Sequence, residues 1–457
     1  MLERCSYRGQ ELHFFTGSIN TNKNIFTTIV GRNGSGKSRF LREIIKSFAE
    51  VSEPRREREI REFSGLKALI GNRPQNIIAS STSPFDKFPI PFGRNGYELT
   101  HDSYYFYQGL RGLGSSNLSL AFMSRTLGFL IKALSSDRER VGTVMEVLDY
   151  LGYEEFLVAR FMLDVPKDFM VGFVSATSPT EFISNFLYDS KNLVGLHNRK
   201  IKTLLDGISN EEDVFILRSA LRDFMASFGR PRIDAVISGT GAVDAISGKM
   251  LTRHFNVLLD MGLLRLRDVT LKKKGLPEAF TITDASSGEQ CVLMALMGVA
   301  ANIKDGSLVC IDEPEICLHP EWQERYIKLL MTTFSGFKNC HFIIATHSPQ
   351  VIAKLADENC FVLDIQTGKT FDAKDLNNRS ADFQLARIFG APGYKNEYLT
   401  REILNALASL GAGKALSDER SGALKDLLML KGLLEEDDPV KDLLHLLERA
   451  LEAKAND

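Results

Sequence analysis

Long apolar runs are missing from this chain. No uncharged stretch reaches the ~18–20 residues that a membrane-spanning helix needs. The opening segment, MLERCSYRGQELHFF, carries charges where a secretory leader requires an apolar core. A soluble, cytoplasmic protein without a membrane partner is therefore expected. Cysteine is also scarce. Cys5, Cys291, Cys310, Cys317, Cys340 and Cys360 form no CxxC pair, which argues against a zinc ribbon or a dithiol redox centre. Reduced thiols in or beside apolar runs are the expectation. An excess of charge is absent too, with a formal net of −2. Any contact with nucleic acid must come from local patches rather than from the whole molecule. There is no internal repeat, no low-complexity tract and no sustained heptad pattern, so an extended coiled-coil arm is not expected.

What is present is ordinary globular material, 44% hydrophobic and 25% charged over 457 residues. That length suits two or three domains. The β-branched run IFTTIV ends in GRNGSGKS and is followed by the helical RFLREIIKSFAE. The charged run EPRREREIRE at 53–62 reads as a solvated face, or as a minor phosphate-contacting patch. SYYFYQGLRG (103–112) is a strand candidate. Residues 116–240 show helical apolar spacing and are expected to form a helical insertion. Thereafter LLRLRDVTLKKKG and AFTITD read as paired strands around a Lys-rich turn. SLVCIDE and CHFIIATHS read as strands alternating with helices, and CFVLDIQTGKTFD as a closing hairpin. That alternation predicts a largely parallel sheet. The tail from 380 is helical, with Leu and acids spaced for amphipathic faces.

Four motifs carry chemistry. Gly31-Arg32-Asn33-Gly34-Ser35-Gly36-Lys37-Ser38 fits G-x-x-x-x-G-K-[ST] between a strand and a helix, the context a phosphate loop requires. Its glycines let backbone N–H groups face phosphate oxygens. Lys37 sets a cation on the β/γ-phosphates, and the Ser38 hydroxyl is a Mg²⁺ ligand. Asp312 ends an apolar strand where an acid can hold Mg²⁺. Its neighbour Glu313 can take the proton of an attacking water. His347 tops the neighbouring strand, within reach of a γ-phosphate. Gln108, at the end of SYYFYQ, is a weaker candidate to bridge Mg²⁺ and that water. Finally, Ala285-Ser286-Ser287-Gly288-Glu289-Gln290 opens a helix, and bare N–H groups at a helix start attract an anion.

In that order, GRNGSGKS, ASSGEQ, VCIDEPEICLHP and ATHS resemble the ATP-binding-cassette ATPases, nearest to their SMC-like branch. The resemblance implies an α/β ABC-type P-loop head with a mixed sheet. Its parts would be 1–115 and 241–379, with the helical insertion at 116–240 and a C-terminal helical extension at 380–457. It implies that Ser286, Ser287, Gly288 and Glu289 act in trans, on ATP held by a second copy's phosphate loop, in a head-to-tail dimer or a larger even-numbered assembly. It also implies that Asp312, Glu313 and His347 serve as Mg²⁺ ligand, catalytic base and switch histidine. The family's signature usually begins with Leu, where this chain has Ala285; that position packs rather than binds.

SPFDKFP, GLRG and ADFQLARIFGAPGYKNEYL further resemble the ATPase component of Septu-type and retron-associated antiphage systems. Such ATPases pair with a separate HNH nuclease. This chain has no HNH motif, and Asp364 stands alone where a Toprim nuclease would need an acidic cluster. The implied function is an ATP-hydrolysing dimeric switch that controls a nuclease in antiphage defence. The rival within the same branch is a DNA-repair or chromosome-handling ATPase, whose duplex contacts would fall to Lys272-Lys273-Lys274 and to Arg55–Arg61. A transporter's ATP-binding subunit is the third reading.

Overall fold

A computed structural model describes residues 1–48, 63–68, 73–90, 104–111, 118–134, 138–188, 211–411 and 428–456. The charged run at 53–62, with Arg55–Arg61, lies outside them. The chain divides into two compact units. One comprises Met1–Gln75 with Asp305–Asp457, and the other Asn76–Lys304.

The first unit opens with β1 (Leu2–Tyr7) and β2 (Gln10–His13), a hairpin turned at Arg8 and Gly9. β3 (Ile25–Val30) follows, buried at every position, as befits a strand covered on both faces. It leads through the phosphate loop into α1 (Lys37–Phe48). β4 (Phe63–Ala68) pairs antiparallel with β1, giving a small sheet ordered β2-β1-β4.

The second unit starts with the parallel pair β5 (Ile77–Ser81) and β6 (Tyr105–Gln108). Helices α2 (Leu118–Leu134) and α3 (Arg138–Tyr150) come next. The expected helical insertion is then interrupted by β7 (Phe156–Leu163). After α4 (Lys167–Ser175), α5 (Pro179–Tyr188) and α6 (Glu211–Phe228) come β8 (Arg232–Ser238) and β9 (Gly241–Asp244). α7 (Arg253–Asp260), β10 (Leu264–Lys272), β11 (Ala279–Thr281) and α8 (Ser287–Ala300) complete the unit.

The reading of 116–240 as helical is thus corrected. Leu157, Ala159, Phe161 and Leu163 alternate inward with period two, and so do Ile233, Ala235 and Ile237. β7 and β8 join β9, β10 and β11 in an antiparallel sheet ordered β11-β10-β7-β8-β9. β10 pairs with β7, and α8 packs on α2 and α3, so insertion and signature helix fold as one body. The strands expected at LLRLRDVTLKKKG and AFTITD are the antiparallel pair β10 and β11.

Back in the first unit are β12 (Leu308–Asp312), α9 (Pro320–Thr333), β13 (His341–Ala345), α10 (Pro349–Ala353), β14 (Cys360–Asp364) and β15 (Thr370–Asp372). Within this unit the sheet runs β15-β14-β3-β13-β12, parallel from β14 to β12 with β15 as an antiparallel edge. This is an α/β P-loop head with a mixed sheet. The strand that ends before His347 lies between the phosphate-loop strand and the acid-bearing strand.

The tail folds as α11 (Ala381–Arg387), α12 (Glu397–Gly411) and α13 (Pro439–Asn456). Their apolar faces meet each other: Leu399, Ile403, Val440, Leu444 and Leu447 form a buried cluster. Each buried Leu or Val stabilises this packing by roughly 1.5–3 kcal/mol before entropy is counted. No described helix is long and apolar enough to cross a membrane. All six cysteines are free thiols; Cys317 departs from the core expectation by lying exposed in the loop after the acids.

Candidate functional site

In the first unit, the carboxyl ends of β3, β12 and β13 converge. β3 delivers the phosphate loop. Gly31 has φ +149°, and a Cβ there would meet Ser35 Oγ at 2.9 Å and Ile365 Cγ2 at 3.0 Å. Gly36 has φ +101° and faces the Arg8 guanidinium and the Tyr7 hydroxyl, 3.0 and 3.1 Å from where its Cβ would lie. Side chains at either position would break the cradle. The Lys37 ammonium is buried, donating to Gly31 O at 3.0 Å and to His347 Nε2 at 2.5 Å. Ser38 Oγ donates to Asp312 Oδ1 at 3.1 Å.

The acids leave β12 through a turn in which Glu313 takes the left-handed region, φ +49°. Its N–H donates to Ala345 O at 2.9 Å, and its Oε1 lies 3.7 Å from His347 Nε2. Electrostatics follow from burial. Burial lowers the Lys37 pKa, while Glu313, Glu315 and Asp312 oppose that shift. Burial, seconded by the Lys37 charge, brings His347 down to about 4. The imidazole is therefore neutral at pH 7 and accepts a hydrogen bond from Lys37.

Three neighbours carry no sequence signature that would single them out. Arg8, at the β1–β2 turn, donates from Nη1 to Ser35 O at 2.9 Å and so braces the phosphate loop. Glu315 Oε1 accepts the His347 N–H at 2.5 Å. Gln366 Oε1 accepts the Arg32 N–H at 3.0 Å. The Arg32 guanidinium donates to Gly390 O at 3.2 Å, so this side chain is turned toward the C-terminal segment. Asn33 and Gly34 are exposed at the tip of the loop.

In the second unit the Ser/Gly turn starts α8 with a reciprocal cap. Ser286 Oγ accepts the Glu289 N–H at 3.3 Å, and the Ser286 N–H donates to Glu289 Oε2 at 3.2 Å. Glu289 also takes Lys273 Nζ at 3.0 Å and the Tyr153 hydroxyl at 3.5 Å. It positions the turn, and its pKa is held low by Lys273 and Ser286 against burial. Ser287 is exposed beside it, and Gly288 is buried.

Gln108 is fully buried in the second unit, with Oε1 3.4 Å from Thr126 Oγ1, and it lies against Gly298 of α8. The Lys272–Lys274 turn is likewise committed: Lys273 to Glu289, and Lys274 to Asp149.

The phosphate-loop residues suit a triphosphate with Mg²⁺. Ser38 and Asp312 present hard oxygen donors side by side. Ser35 Oγ is buried without a hydrogen-bond partner among the described residues, inside a cradle that only glycine permits.

Residues 197–353 match a family model described as "AAA domain, putative AbiEii toxin, Type IV TA system". The chain is 25% identical over 435 residues to the retron Ec83 probable ATPase of Escherichia coli, spanning 84% of this chain and 74% of that protein. It is 28% identical over 107 residues to the retron Vc95 probable ATPase of Vibrio cholerae serotype O1 biovar El Tor, covering 21% of this chain and 20% of that protein. Among solved structures it is similar to an SmcHead bound to the C-winged helix domain of ScpA, at 17% identity and TM-score 0.29. That alignment covers 81% of this chain and 95% of that one. The chain is thus similar to probable ATPases of retrons, and its phosphate loop carries the residue pattern that ATP binding requires.

Proposed function

We propose that the chain is an ATP-hydrolysing switch that closes as a head-to-tail dimer and, in an antiphage defence assembly, controls a separate nuclease of HNH type. One observation carries the hydrolytic part: Lys37, Ser38, Asp312, Glu313 and His347 meet at one end of three neighbouring strands. The similarity to retron ATPases supports the defence setting. The acid that an in-chain nuclease would need, Asp364, is spent on its own hairpin turn, accepting from Gln366 N at 2.9 Å and Thr367 Oγ1 at 2.6 Å.

In this reading Lys37 leaves His347 and Gly31 O for the β- and γ-phosphates. Ser38 and Asp312 would hold Mg²⁺, which would supply charge neutralisation. Glu313 takes a proton from water as its oxygen bonds to the γ-phosphorus. The bond to the bridging oxygen breaks, and ADP leaves with the electron pair. Neutral His347 accepts a hydrogen bond from that water or donates one to the γ-phosphate, according to its tautomer. Ser287 and the N–H groups of Ser287 and Gly288 cap the partner copy's γ-phosphate.

The rival DNA-handling reading is weakened because Lys273 and Lys274 are neutralised internally. Glu313→Gln in the full chain is the decisive variant. Its ATP turnover is expected to fall by about 10²–10⁴-fold, the usual worth of a positioned general base. ATP affinity should persist, and the dimer should accumulate in size-exclusion light scattering. Turnover at the parental rate sinks the hydrolytic reading. A strictly monomeric, ATP-loaded variant sinks the dimer.

A further inference from the structure

We infer that Glu315 is a positioning residue for hydrolysis, setting the separation of the two catalytic side chains by holding the backbone of His347. This rests on the reading of Glu313 and His347 as the hydrolytic pair.

Two bonds tie the loop after β12 to the end of β13 and the loop that follows it. Glu313 N–H donates to Ala345 O at 2.9 Å, and His347 N–H donates to Glu315 Oε1 at 2.5 Å. They run in opposite directions, each from a backbone donor of one segment to an acceptor of the other. Between them sits the gap of 3.7 Å between Glu313 Oε1 and His347 Nε2. The acid loop is folded back on itself to make this reach possible. Glu313 takes φ +49°, Ile316 N–H donates to Glu313 O at 3.2 Å, and Leu318 N–H donates to Glu315 O at 3.0 Å. On the far side, Ser348 Oγ donates to Gln323 Oε1 at 2.6 Å, and Gln323 Nε2 donates to Leu318 O at 2.9 Å. That second brace fixes the residue after His347 to the same loop.

An acid is an expensive way to fill space. Burial pushes the Glu315 carboxyl up, and the His347 N–H, its own N–H and the Thr346 hydroxyl pull against that rise. A leucine would pack at lower cost but would leave the His347 N–H unsatisfied at the strand end. The acceptor oxygen is therefore what the position supplies. Its target is the main chain of the residue that faces Glu313 and Lys37. Displacement of a reacting group by about 1 Å costs roughly 10²-fold in rate, so a lost clamp is felt in turnover before it is felt in binding.

The test uses the full chain with ATP and Mg²⁺, comparing Glu315→Ala, Glu315→Leu, Glu315→Gln and Glu313→Gln. Glu315→Ala and Glu315→Leu are expected to lower kcat by about 10²-fold, with KM and the Kd for a fluorescent ATP analogue within about threefold of the parent. Glu315→Gln keeps an acceptor oxygen at the same reach and is expected to return kcat to within about fivefold of the parent. Leucine serves as the acceptor-free variant if alanine fails to fold. The inference is overturned if Glu315→Gln is as slow as Glu315→Leu. It is also overturned if the leucine variant loses kcat and nucleotide affinity in parallel, which marks a structural role alone. Parental turnover in Glu315→Leu beside an inactive Glu313→Gln removes this inference and leaves the hydrolytic reading standing. Parental turnover in Glu313→Gln removes both.

Discussion

Two helices in this chain begin at glycine- and serine-rich turns, and they treat their first N–H groups in opposite ways. α1 starts at Lys37 with no acid in its first turn. Its approach is a glycine cradle braced from outside by Arg8. α8 starts at Ser287 behind a closed capping box, with Glu289 inside its first turn and Lys273 neutralising that acid. The first turn is thus left electropositive and receptive. The second satisfies part of its own demand and keeps only the donors of Ser287 and Gly288 for a ligand. A helix start attracts anions in proportion to what its own side chains leave unsatisfied. In the proposed reading α1 holds a triphosphate within one chain, whereas α8 adds a single contact to a ligand brought by another molecule.

The comparison breaks first at Lys37. Lys37→Ala should reduce ATP affinity by about 10–100-fold, the worth of a buried charge-assisted contact, in a fluorescence titration of the monomer. Undiminished affinity removes α1 as the primary nucleotide site. Ser287→Arg should leave that monomer titration unchanged while lowering the ATP-dependent dimer fraction by about tenfold in light scattering. Loss of monomer binding instead puts Ser287 in cis. Glu289→Ala should cost about 1 kcal/mol of stability through the cap, a drop in Tm of about 2–4 °C for a unit of this size, with monomer ATP affinity unchanged. An unchanged Tm denies the cap its energetic role.

A further comparison concerns pH. His347 is depressed from 6.5 to about 4 in the folded chain. Between those values the unfolded chain binds the extra proton. Its contribution to stability is therefore complete above pH ~6.5 and is lost as pH falls toward ~4. His341, fully buried and also held low, contributes in the same direction, so the parent must be compared with His347→Gln. Tm of the variant should fall less steeply than that of the parent between pH 6.5 and 4; equal slopes would falsify the neutral-imidazole assignment.

Much of the head was legible along the chain because its signals are local. GRNGSGKS sits between a fully buried strand and a helix, and the acids and His347 sit at strand ends, where a few adjacent residues carry the pattern. β7 was not legible in the same way. Its apolar residues alternate, but they lie among segments with helical spacing. Pairing with β8 and β10, more than seventy residues downstream, is what makes it a strand. The side chains of Arg32 and Gln108 go to Gly390 O and to Gly298, choices that no local pattern announces. Such choices depend on which partner is nearest after folding.

The amino-acid order alone determined that an anion-binding loop, two strand-end acids and a strand-end histidine exist, because each is written in consecutive residues whose backbone preferences and charges need no distant partner. Tertiary structure alone decided the rest. It slid the strand before His347 between the other two, brought Glu315 onto the His347 amide, spent Lys273 and Glu289 on each other, and closed the tail helices on themselves. The physical reason is that hydrogen bonds and ion pairs are won by proximity in space, and proximity between residues far apart in the chain is set by how buried apolar surfaces pack.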